Sequence, residues 1–204
     1  MPMTDDRKAA RRLRIEKAAY EVLVERGFSG ASMLAIAKRA KASNETLYAW
    51  YGDKLGLFRA MVASTAEAAR DRLLSALEAE APEAALVEFG TVLLHDILSD
   101  RAVALNRVAA ADMGGETGRA IAAAGRESVL PLLTDLLCRI YPDAGQPEAL
   151  AALFIDLLVG DQQLRRVIGT LPAPDLGDCK ARSERAVRIF HAIIETGADI
   201  GVHP

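Results

Sequence analysis

Cysteine is nearly absent. The 204 residues contain two, Cys138 and Cys179, which stand 41 positions apart and form no C-x-x-C pair. That excludes a disulfide framework and the thiolate spacing of a structural zinc site, and both read as reduced packing residues. Histidine is as scarce: His95, His191 and His203 are scattered, with no H-E-x-x-H or other ligand spacing, so no metal or other cofactor is expected. No G-x-S-x-G, P-loop or dinucleotide fingerprint occurs. Gly114-Gly115-Glu116-Thr117-Gly118 is glycine-rich, but it follows a helical stretch and lacks the lysine of a phosphate cradle, which leaves it a loop. Without a catalytic constellation, an enzyme is not expected. The longest apolar stretch, Ala149 to Val159, is broken by Asp156 and falls far short of the roughly 20 residues that span a bilayer. The opening Met1-Pro2-Met3-Thr4-Asp5-Asp6-Arg7-Lys8 is charged and has no apolar h-region. No secretory signal or membrane partner is therefore expected, and the expected location is cytoplasmic.

What remains favours helices. Aromatics make up 5% of the chain and hydrophobic residues 51%, enough for a sizeable core. The abundance of alanine and leucine disfavours strands. Beyond Asp53, Leu55, Phe58, Met61, Thr65, Ala69, Leu73 and Leu77 recur at helical spacing along one long helix ending near Ala81-Pro82. Leu86, Phe89, Leu93 and Ile97 mark the next. Ala102 to Ala111 is apolar all round except for Asn106 and Arg107 and reads as buried. Glu116 to Ile140 is interrupted by Pro131, whose ring should bend or break it. After a loop from Tyr141 to Pro147, Glu148 to Gly169 and Cys179 to Gly197 form the last two helices, joined by a link containing Pro172, Pro174 and Gly177. With three helices before them, the expected fold is all-α with about nine helices.

The net charge of -3 hides an asymmetry. Residues 1–54 carry 11 basic against 7 acidic side chains, a balance of +4; the remainder carries 14 against 21, a balance of -7. Positive charge thus sits where Ser32 to Lys54 reads SMLAIAKRAKASNETLYAWYGDK, two short amphipathic helical patterns separated by three residues. This is the spacing of a helix-turn-helix that lays its second helix in a groove of double-stranded DNA. Leu34, Ile36, Ala37 and Ala40, then Ala42, Leu47 and Tyr51, can close a small core between the two helices. Ser43 is a good N-cap for the second helix; Gly52-Asp53 ends it, with Asp53 placed to cap the next helix. Asn44, Glu45, Thr46, Ala49 and Trp50 are left to project outward.

On these residues the run resembles the N-terminal DNA-binding domain of the TetR/AcrR family of bacterial transcriptional regulators. The family motif has the form T/S-x-x-x-I-A-x-x-A-G-V-S-x-x-T-L-Y-x-[HY]-[FY]-x-x-K-x-x-L. The agreement holds without a gap at Ser32, Ile36, Ala37, Ala40, Ser43, Thr46, Leu47, Tyr48, Tyr51, Lys54 and Leu57. Arg12 to Arg26 followed by Gly27-Phe28 is similar to the family's first helix and its glycine stop. There are three departures. Lys41 stands where a turn glycine is usual, a place that favours a positive φ, at a cost of roughly 1 kcal/mol. Ala42 replaces a larger aliphatic, and Trp50 stands where histidine or tyrosine is commoner.

The resemblance implies a helix-turn-helix domain over residues 1–52 and a helical effector-binding and dimerisation domain over 53–204. It implies DNA contacts from Ser32, Ser43, Asn44, Glu45, Thr46, Tyr48, Trp50 and Lys54. Tyr48 reads as a backbone contact or as a core aromatic. Lys54, electrostatically misplaced at a helix N-terminus, gains a reason if it binds phosphate. Asn44 suits an adenine edge and Glu45 the N4 amine of cytosine; the plainer alternative is two solvated first-turn residues. Ala151 to Asp161 followed by Arg165 and Gly169 also looks like the C-terminal domain of the AefR-like branch. A small, largely apolar effector would meet Phe89, Leu93, Phe154, Arg107 and Asp112, although the last two read equally as structural partners. Asp156, Gly160, Val187, Phe190 and Ile194 would form the interface of a homodimer, the last two helices joining their symmetry mates in a four-helix bundle. The expected function is a dimeric repressor released from a palindromic operator by its effector. The alternatives are an effector-independent or activating regulator, an all-α enzyme, or a dimeric scaffold.

Overall fold

The computed structural model describes residues 5–78 and 81–196. Among them it contains eleven helices and no strand. They divide into two compact units, Met1–Ser64 with Ala104–Ala124, and Thr65–Val103 with Gly125–Pro204. No helix among the described residues is long and apolar enough to cross a membrane.

The first unit holds α1 (Asp5–Gly30), α2 (Met33–Arg39), α3 (Asn44–Tyr51), the opening turns of α4 (Lys54–Ala76), most of α6 (Asp100–Ala110) and α7 (Glu116–Ala124). Ile15, Ala19, Ile36, Leu47, Phe58 and Met61 lie in its core without exposure. The opening turns of α4 therefore belong to this core, beyond the boundary expected at residue 52. The helical path of α1 breaks at Gly27 (φ 66°, ψ 176°), where a glycine stop is expected. On α2 the buried residues are Met33, Ile36 and Ala37, followed by Ala40 at its C-cap. This is the i, i+3, i+4, i+7 stripe of an amphipathic helix. Leu34, expected in that core, lies one residue off the stripe and is 66% exposed.

The turn after α2 needs a left-handed residue. Lys41 has φ 50°; its N–H donates to Lys38 O, and the Ala42 N–H donates to Ala37 O. These two bonds make a Schellman cap with lysine where glycine fits best. Lys41→Gly is expected to stabilise the unit by about 0.5 to 1 kcal/mol, since relieved strain outweighs the added unfolded-state entropy. Urea unfolding of the two proteins checks this.

The second unit holds the last turns of α4, α5 (Pro82–Ile97), α8 (Arg126–Ile140), α9 (Pro147–Val159), α10 (Gln162–Val167) and α11 (Leu176–Glu195). Phe89, Phe154 and Phe190 centre its core. Phe190 meets Phe154 and Tyr141 edge to face, each at 5.6 Å. Helices α5 and α11 approach so closely at Gly90 that a Cβ there would clash with Ser183 Oγ. The Ser183 hydroxyl, fully buried, donates to Val87 O at 2.7 Å.

Two stretches expected as single helices are each two, which turns nine into eleven. Glu116 to Ile140 breaks at Gly125 (φ -91°, ψ -85°), and α8 runs on through Pro131. That proline is exposed, in the second turn. Glu148 to Gly169 breaks where Gly160 takes φ 52° and ends α9. Helix α11 starts earlier than expected, at Leu176 behind a reciprocal capping box of Asp175 and Asp178. Gly197, its expected end, lies outside the described residues. Arg166 is 7% exposed, a burial that no local pattern around it announces. It donates to Leu98 O, Leu171 O and Asp100 Oδ1 at 3.0, 3.1 and 2.7 Å, tying three chain segments together.

Candidate nucleic-acid interface

Two serines start the two short helices. Ser32 Oγ accepts from the Ala35 N–H at 3.2 Å, and Ser43 Oγ accepts from the Thr46 N–H at 3.2 Å. Ser43 and Thr46 also share a hydroxyl–hydroxyl bond of 2.7 Å. At the far end Gly52, with φ 76°, ends α3. Asp53 Oδ1 then accepts the Gly56 N–H at 2.6 Å, as expected of a cap. Leu47 anchors α3 in the core. Ser43, Glu45, Tyr48 and Ala49 are exposed, whereas Asn44, Thr46 and Trp50 are half-buried. Tyr48, half exposed, is therefore not a core aromatic. Asn44 Oδ1 is shielded and accepts no hydrogen bond from the described residues, which leaves Glu45 the better presented of the two candidate base readers.

Lys54 is held from behind. Its ammonium donates to Phe28 O at 2.5 Å and Ala31 O at 3.0 Å and stands 4.4 Å from the Phe28 ring centre. A cation misplaced at the start of α4 is thus well placed for the carbonyls that end α1. Two of its three donors are engaged by these carbonyls.

Two arginines on α1 sit beside α3, although nothing in their local sequence marks them. Arg11 donates to Thr46 Oγ1 at 3.1 Å. The guanidinium groups of Arg11 and Arg12 lie 5.6 and 5.9 Å from the Trp50 ring centre. Only the fold, which brings residues 35 positions apart into contact, makes them visible. Arg39 instead turns to α1, bonding Glu25 at 2.8 and 2.9 Å and Glu21 at 3.3 Å. The Arg39 hydrogen bond holds the Glu25 carboxyl below its ordinary pKa. Burial, with help from Glu16, pushes the Tyr51 phenol above its own.

The residues expected at an effector are shared between the two units. Phe89 and Phe154 are unexposed and Leu93 is 6% exposed, all in the core of the second unit. Arg107 and Asp112 belong to the first unit. Asp112 accepts from the Thr117 N–H (3.0 Å), the Thr117 hydroxyl (2.8 Å) and the Gly114 N–H (3.1 Å). The Thr117 bonds hold its carboxyl below the usual carboxylate pKa, and its role is to fasten the glycine-rich loop ahead of α7. Of the expected dimer residues, Asp156 and Gly160 are exposed and Ile194 is half-buried. Val187 and Phe190 are a correction: they pack inside the core of the second unit, because α11 turns its Cys179, Ser183, Ala186, Val187, Phe190 stripe inward. Among the described residues no group of three or more His, Cys, Asp or Glu could hold a metal ion.

Residues 15–61 match the family described as bacterial regulatory proteins, tetR family. The N-terminal domain is a tetR-family domain. Over 52 residues the chain is 40% identical to the HTH-type transcriptional regulator YdeS of Bacillus subtilis (strain 168). That match covers 26% of each protein, so the chain spans about a quarter of the length of this curated relative. Beyond the tetR-family domain the likeness is one of fold. A TetR-family transcriptional regulator from Mesorhizobium loti MAFF303099 aligns with a TM-score of 0.76 at 24% identity, covering 92% of this chain and 98% of its own. The flavonoid-responsive regulator FrrA aligns with a TM-score of 0.70 at 26% identity, covering 90% and 96%. The family and these neighbours are transcriptional regulators, not enzymes.

Proposed function

We propose that the chain is a homodimeric, effector-responsive repressor that reads a palindromic operator through α3. The observation that carries this reading is the tetR-family helix-turn-helix itself, capped at both ends, with Glu45, Tyr48 and Ala49 presented to solvent on one short helix. A helix of that size fits the major groove, where Glu45 can accept from cytosine N4 while Ser32, Ser43, Tyr48 and the third donor of Lys54 reach phosphates. The dimer would place its two copies of α3 one turn of duplex apart, roughly 34 to 36 Å. An effector that binds better to a differently spaced dimer would then lower operator affinity by population shift. The aromatic and aliphatic interior around Phe89, Leu93 and Phe154 suits a small apolar effector, in line with the flavonoid named for FrrA. The resemblance of Ala151 to Asp161 to the AefR-like branch belongs to the same reading.

The partner-facing side of α9 and α11 is assigned from the residues the subunit leaves outside: Asp156 and Gly160 on one helix, Ile189 and Ala192 on the other, with Ile194 at the edge. A gel shift of DNA flanking the protein's own gene, with unrelated duplex as competitor, tests the DNA reading. A band that resists the competitor is expected; equal loss to any duplex would refute sequence-specific binding. Glu45→Ala is expected to relax preference at one or two positions of each half-site, costing about 1 to 3 kcal/mol in discrimination. Affinities for singly substituted operators measure this, and a uniform loss over all bases would show that Glu45 only positions α3.

A further inference from the structure

Trp50 carries two guanidinium groups on its indole, at 5.6 and 5.9 Å. Arg11 is also tied to Thr46, and through its hydroxyl to Ser43 at the cap of α3. No carboxylate among the described residues pairs with either arginine, in contrast to Arg39 with its two glutamates. Exposed Arg7 and Lys8 outnumber exposed Asp6 in the first turn of α1 and add to the same charge. Thr46 and Trp50 are four residues apart and share one flank of α3; Glu45 and Ala49, one residue earlier, occupy the neighbouring exposed strip. A positive ridge therefore runs beside the face presented to a groove, where a duplex places a row of phosphates.

We infer that Arg11 and Arg12 bind DNA phosphates on the flank of the groove that α3 enters, and that Trp50 is the positioning residue that holds them there. A guanidinium matches phosphate geometry with paired donors, and stacking on indole orders the side chain before the phosphate arrives. Where a histidine or tyrosine would offer a single donor of its own, the indole instead presents two cations. The inference rests on α3 being the DNA-reading helix.

Phosphate contacts are independent of sequence, so the test uses the full chain and a labelled mixed-sequence duplex of about 30 base pairs, with affinity measured by anisotropy between about 25 and 200 mM KCl. Arg11→Gln and Arg12→Gln are each expected to reduce the slope of log K against log salt by about 0.9 per bound subunit. Trp50→Leu should reduce it too although no charge is removed, and Trp50→Phe should keep it. Adding Arg12→Gln to Trp50→Leu should change the slope little further. Arg12 is exposed, so its variant keeps the fold, and thermal melts of every variant separate slope changes from unfolding. If the wild type binds with a normal salt slope and both arginine variants retain it, the inference fails alone. If the folded wild type binds no duplex, the inference fails together with the DNA-binding reading.

Discussion

Replacing Gly56 by alanine is expected to destabilise the N-terminal unit by about 3 kcal/mol or more, a large fraction of the roughly 5 to 15 kcal/mol that holds an ordinary domain folded. A Cβ at Gly56 would lie 2.0 Å from Tyr51 O and 3.2 Å from its carbonyl carbon. Both are backbone atoms, so no side chain can swing aside. Tyr51 O already accepts the Asp53 N–H, and Gly56 donates to Asp53 Oδ1, so the turn is fixed from both sides. Any relaxation must move α3 relative to α4 and break the cap. The control is Gly118→Ala in α7, where a Cβ would meet nothing within 4 Å. That change should stabilise by up to about 1 kcal/mol through helix propensity. Circular dichroism melts of both variants check the opposite signs; a Gly56→Ala protein as stable as wild type would contradict the packing of α3 against α4.

Phe190→Asp is expected to unfold the second unit, whereas Ile189→Asp leaves it folded and monomeric. Phe190 has no exposure and touches Phe154 and Tyr141 edge to face. Losing the ring costs about 3 to 5 kcal/mol, and a carboxylate left buried without a partner adds several more. One position earlier, Ile189 is 37% exposed and lies outside the core. A charge there is solvated in the monomer and desolvated only if a second copy covers it. Sedimentation and helicity measured on both variants separate the two roles. A folded Phe190→Asp protein would overturn the core assignment, and an Ile189→Asp protein that sediments as a dimer with normal DNA affinity would remove that face from the interface.

The helix-turn-helix is legible in the sequence because its signals are local. Serine caps, the glycine at 52 and the spacing of apolar residues each act within one turn, and Lys41 adopts the left-handed conformation its position demands. Leu34 is misplaced by one residue because a seven-residue helix gives the stripe little length on which to average. Features set by tertiary approach leave no such signal. Nothing around Gly56 announces a carbonyl five residues earlier, and Arg166 reads as a surface arginine until Leu98, Asp100 and Leu171 surround it. The apolar side chains of α11 are visible, but which of two adjacent stripes the second unit buries is not. Phe190, expected to face outward, therefore packs inward. The charge of Lys54 is plain from the sequence, whereas the carbonyls of Phe28 and Ala31 that hold it lie more than 20 residues back.

The central claim, that α3 reads DNA sequence, is tested most directly by selecting bound duplexes from a random library with the purified full chain. An inverted repeat should be enriched, its half-sites about one helical turn apart, with at least one half-site position losing its preference in Glu45→Ala. A folded protein that enriches no sequence over repeated rounds, or whose enriched site is indifferent to every substitution on the exposed face of α3, would contradict it.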